Sequence, residues 1–62
     1  MKAEDLVKNE VAYRFKGQSD ILYYLGYNFS ANGYWHQFRK VGVVGVWAEL
    51  LESDLRLLEE WP

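Results

Sequence analysis

The sequence predicts an all-β fold, five short antiparallel strands in a small barrel, and three observations carry that expectation. The stretch Tyr34–Leu51 reads as a hairpin: YWHQFRKV and VWAELL flank GVVG, whose Gly42 and Gly45 can take φ > 0. Val11–Lys16 alternates, with Val11, Tyr13 and Phe15 on one face and Ala12, Arg14 and Lys16 on the other, as a half-buried strand does. Two turn-forming clusters, Gly17–Asp20 and Asn28–Gly33, then bound a run of β-branched and aromatic residues.

In chain order, Lys2–Glu10 places Ala3, Leu6, Val7 and Glu10 at helical spacing, which predicts one or two turns of helix stabilised only by packing. The strand at Val11–Lys16 follows. Ile21–Tyr27 is a central strand, too uniformly apolar to show which face is buried. In the next turn Asn32-Gly33 is the pair most tolerant of left-handed backbone. Tyr34–Val41 is the third strand, Val43–Leu51 the fourth, Glu52–Asp54 a tight turn and Leu55–Glu59 a short closing strand.

The last third admits a second reading. As a helix over residues 47–61, it gathers Trp47, Ala48, Leu50, Leu51, Leu55, Leu57, Leu58 and Trp61 on one half of the wheel, giving an α+β fold in which that helix packs a three-stranded antiparallel sheet. Against it, strand formers lead into the segment and no Ser, Thr, Asp or Asn stands at an N-cap position. Ser53-Asp54 in its middle also compete for backbone groups and favour a turn.

With the strand reading, the W-x-E-L-L-x-S-D-L run from Trp47 to Leu55 and the closing R-L-L-E-E resemble the Src-homology-3-like small β-barrels. The resemblance implies a single 3-10 turn near residues 52–55 between the last two strands. The peptide-binding members of that family carry an acidic loop, paired Trp and a Pro-Tyr; here the only proline is Pro62, so recognition of proline-rich peptides is not implied. A small, Trp- and Tyr-rich chain without cysteine also resembles accessory proteins of bacteriophages and prophages.

Residues 1–62 make one domain, of a size whose core supplies only about 3–5 kcal/mol. With no Cys and only His36, neither a disulfide nor a Cys/His zinc site is available, and the eleven aromatics must supply the buried bulk instead. No apolar run suits a membrane span, and Met1–Asp5 is too acidic for a signal peptide, so a cytoplasmic protein without membrane contact is expected. The Asn28-Phe29-Ser30 sequon then reads as a polar loop.

Catalytic chemistry is not expected. His36 has no Cys or G-x-S-x-G partner, the glycines form no phosphate loop, and the carboxylates near the C-terminus are explained by a solvated edge; no catalytic residue, metal or cofactor is assigned. Binding is the alternative. Tyr13, Phe15 and Phe38 belong to the core, whereas Tyr27, Phe29, Tyr34 and Trp35, rimmed by Arg39, have the composition of an interface centre for a protein partner or a second copy of the chain. The net charge of −2 divides into −1 for residues 1–10, +3 for 11–47 and −4 for 48–62. The basic middle offers a nucleic-acid reading, with the rings stacking on bases while Arg14, Lys16, Arg39 and Lys40 meet phosphates. A pI near 5.2 favours the protein partner.

Overall fold

Two long strands dominate the chain. In the computed structural model, which describes residues 1–61, β1 (Ala12–Phe15) is followed by β2 (Leu22–Ser30) and β3 (Gly33–Lys40), then β4 (Ala48–Leu51), a 3-10 turn (Glu52–Leu57) and β5 (Leu58–Glu60). All pairings between these strands are antiparallel, in one sheet of order β4-β3-β2-β1-β5. The expected five strands and the 3-10 turn are both present. The sheet is open, with β4 and β5 at its two edges.

The helix considered for residues 47–61 does not form. Ala48–Leu51 instead pairs with β3, Trp35 opposite Leu51 and Phe38 opposite Ala48. The 3-10 turn that follows starts from an extended Leu51 with no side-chain cap. Its Leu55 is fully buried, so the turn plugs the sheet although it is too short to pack as a helix.

Other boundaries shift for local reasons. The connector between β3 and β4 spans residues 41–47 instead of four residues: positive φ at both Gly42 and Gly45 takes the chain off the ladder and leaves Val44 fully exposed, and Trp47 N–H rejoins β3 at the Phe38 carbonyl, 2.8 Å away. The N-terminal helix reduces to one 3-10 turn at Ala3–Asp5. Asn28–Ser30, expected as loop, extends β2, and the reversal is a two-residue loop at Ala31-Asn32 between the paired Ser30 and Gly33. The left-handed residue there is Ala31 (φ 53), not Asn32 or Gly33.

Alternation assigns the faces. Tyr13, Leu22, Tyr24 and Phe38 meet on the inner face with Leu55 and Leu58 to make the core, over which Met1, Ala3 and Leu6 fold as a cover. Tyr13 packs edge-on against Phe38, with centroids 6.4 Å apart, and its hydroxyl accepts from Val7 N–H at 2.9 Å, fastening the N-terminal segment down. Between Tyr24 and Gly26, β2 bulges: Tyr24 faces Phe38 and Gly26 faces Gln37, leaving Leu25 as the extra residue. Gly26 takes φ 130, a backbone that side chains other than hydrogen rarely tolerate. The Tyr24 carbonyl beside the bulge accepts from Asn9 N–H at 3.1 Å.

Candidate functional site

The bulge decides where the hairpin's aromatics go. Downstream of it Tyr27 lies opposite His36 and Phe29 opposite Tyr34, which keeps them on the same face as Tyr24 and Phe38. The 3-10 turn and the N-terminal cover reach only part of this face. Beyond them Tyr27, Phe29 and Tyr34 stay 62%, 61% and 46% exposed, so large rings lie in solvent as a direct continuation of the core.

The three rings form a ladder. Tyr27 meets Tyr34 edge-on at 5.3 Å between centroids, and Tyr34 meets Phe29 at 4.8 Å. At the buried end Tyr27 contacts His36 at 6.0 Å, and His36 leads on to Tyr24 at 5.7 Å. Aromatic pairs at these separations add roughly 0.5–1.5 kcal/mol each beyond their area, which biases the exposed rings toward this arrangement.

Not all of the expected patch comes together. Tyr27, Phe29 and Tyr34 share a face, whereas Trp35 and Arg39 alternate to the opposite one, Trp35 beside Leu51 and Arg39 beside Tyr23. There the Arg39 guanidinium stacks on the Tyr23 ring at 4.6 Å. Arg39 therefore does not rim the ladder.

The basic residues of the nucleic-acid reading are mostly engaged within the chain. Arg14 Nε donates to Glu59 Oε2 at 2.6 Å and its guanidinium lies 5.2 Å from the Trp61 ring. Lys40 pairs with Asp20 at 3.3 Å and lies 5.0 Å from the Trp47 ring. Lys16 is exposed.

The buried end of the ladder holds features that sequence reasoning did not assign. His36 is only 3% exposed, and its Nδ1 shares a 2.9 Å hydrogen bond with the Tyr24 hydroxyl. Burial pushes the Tyr24 pKa above the usual tyrosine value, with neighbouring Tyr27 adding in the same direction, so the hydroxyl keeps its proton. Among the described residues, His36 Nε2 is the one buried side-chain polar atom without a hydrogen-bond partner; Glu52 Oε1 stands 3.8 Å away. The His36 and Glu52 side chains are among those lining a groove of about 440 Å³, together with Ala3 and Leu6 of the N-terminal cover and the hairpin's Tyr27 and Tyr34, and bordered by Glu4 and Lys8. Glu52, Glu4 and Lys8 come from distant parts of the chain, and no local motif joins them to His36.

No group of three or more His, Cys, Asp or Glu side chains among the described residues is placed to hold a metal ion, and no described helix is long and apolar enough to cross a membrane. No family model, curated protein or solved structure matches the chain.

Proposed function

We propose that this protein is a non-enzymatic, cytoplasmic binding module that docks the Tyr27–Phe29–Tyr34 ladder onto a partner protein. One observation carries the reading: three large rings remain exposed in mutual contact on a hairpin whose base is locked into the core. Rings already ordered by one another lose little side-chain entropy on binding, and buried aromatics dominate interface energetics. The 3-10 turn between β4 and β5 supports a kinship with the Src-homology-3-like barrels, and the composition supports a phage accessory role, as parts of the same proposal.

The experiment is a pulldown from host lysate, repeated with nuclease and at raised salt, beside sedimentation of the purified protein. The expected result is a defined protein partner retained under both treatments, lost with Phe29→Ser and kept with Arg39→Gln on the opposite face. If sedimentation shows a dimer that Phe29→Ser dissociates, the partner is a second copy. Capture that vanishes with nuclease and falls steeply with salt would replace this reading with nucleic-acid binding, and Arg14, Lys16, Arg39 and Lys40 would be tested first.

A further inference from the structure

The groove at the buried end of the ladder bears on what the partner presents. We infer that it takes the guanidinium group of an arginine side chain from the partner protein, an inference that rests on the docking role of the ladder. The base of the groove is an unpaired polar position: His36 Nε2, buried and without a hydrogen bond, beside Glu52 Oε1 at 3.8 Å. Leaving a buried polar atom unmatched is costly, so a ligand that supplies its partner recovers that cost on binding.

The Tyr24 hydroxyl can either donate to Nδ1 or accept from Nδ1–H. In the second tautomer Nε2 presents a lone pair toward Glu52, and the two become a pair of acceptors. Donors about 2.7–3.2 Å from each fill that spacing. A guanidinium carries five N–H donors in a rigid fork, so two of them serve Nε2 and Oε1 together while its plane lies against a ring. An ammonium is a compact, strongly hydrated point charge and fits a stacking wall less well.

Charge and walls agree with that occupant. Glu4 and Glu52 outnumber Lys8, whose side chain lies across Gly26, and Tyr27 and Tyr34 supply aromatic rings to the wall, to which a cation is attracted. The chain treats its own arginine in the same manner elsewhere: Arg14 sits between the Glu59 carboxylate and the Trp61 ring. The groove repeats that combination of carboxylate and aromatic face, and no arginine is among its own lining residues.

The test is a nuclear magnetic resonance titration of the full chain with acetyl-Gly-Arg-Gly-amide, and with the same peptide carrying citrulline, which keeps the shape and loses the charge. Expected are saturable shifts of the His36, Tyr27 and Tyr34 ring signals with the arginine peptide, and affinity weaker by about ten-fold with citrulline or with Glu52→Gln. Glu52 has 62% of its side chain exposed, so its substitution leaves the fold intact. Glu60→Gln makes the same change in net charge on β5 and should leave affinity unchanged. Absence of His36 shifts, equal binding of citrulline, or equal losses with the Glu52 and Glu60 variants overturns the inference. Phe29→Ser separates the two readings, since it should abolish partner capture while the arginine peptide, whose groove is not lined by Phe29, still binds saturably with its His36 shifts. Capture that depends on Phe29 without any arginine binding defeats the groove assignment alone.

Discussion

Ala31 is the residue where the backbone is most at odds with its side chain. It takes φ 53 at the first position of the β2–β3 loop, a conformation that costs an L-residue other than glycine roughly 1–2 kcal/mol. Ala31→Gly should stabilise the protein by about 0.5–1 kcal/mol after the added flexibility of the unfolded chain is discounted, raising the melting temperature by a few degrees. An unchanged or lower melting temperature would show that the loop carries no such strain. Tyr24 gives a second test. Its pKa is raised by burial first and by Tyr27 second, so the folded chain binds more protons than the unfolded one once pH passes the ordinary tyrosine value. The stability it contributes is complete below about pH 10 and is lost as pH climbs through the folded pKa. Melting temperatures recorded from about pH 9 to about pH 11.5 should fall more steeply than in Tyr24→Phe, and parallel slopes would contradict the assignment.

Among the elements, the 3-10 turn at Glu52–Leu57 is the least dispensable. Of its six residues only Leu55 is buried, yet that side chain is 0% exposed and closes the inner face of the sheet. Leu55→Ala should cost about 2–5 kcal/mol. Set against a core worth only about 3–5 kcal/mol, that leaves a largely unfolded protein at ambient temperature, measurable by denaturant titration. The strand count, the order of elements and this turn were legible because they rest on short-range signals: alternation at Val11–Lys16, turn clusters, and the absence of a cap before residue 48. Strand ends were less legible where a longer-range contact decided them. Pairing with β3 carried β2 through Asn28 and Ser30 in spite of their turn preference, and two left-handed glycines withheld Val43–Trp47 from β4.

At the scale of the whole molecule, exposed apolar surface gathers at the two far ends of the β2–β3 hairpin, the aromatic ladder beside its tip and the valine-rich connector after Lys40. Val44, fully exposed at the second of these, makes a control for the first: Val44→Lys should raise solubility, shift stability by less than about 0.5 kcal/mol and leave partner capture intact. A loss of capture would move the docking surface to the connector. The candidate site was legible in part. An excess of rings over core volume pointed to Tyr27, Phe29 and Tyr34; grouping Trp35 and Arg39 with them overlooked the alternation of a strand over 34–41, which sets both opposite Tyr34. His36 and Glu52 meet only through tertiary folding, and no spacing in the sequence foretells it.

The bulge at Leu25 has a further consequence in evolutionary terms. Inward residues of β2 fall at 22 and 24 before it and at 27 and 29 after it, so the strand changes parity at a single extra amino acid. In regular pairing with Leu25 retained, Tyr27 would oppose Trp35, and the ladder would be dismantled in favour of the opposite surface. Deleting the codon for Leu25 would preserve the inward set, since Gly26 already faces Gln37. The locus is thus asymmetric toward small insertions and deletions: descendants can lose this residue and keep their exposed rings in place, whereas an unabsorbed gain of one transfers Tyr27 and Phe29 across the sheet without altering a side chain.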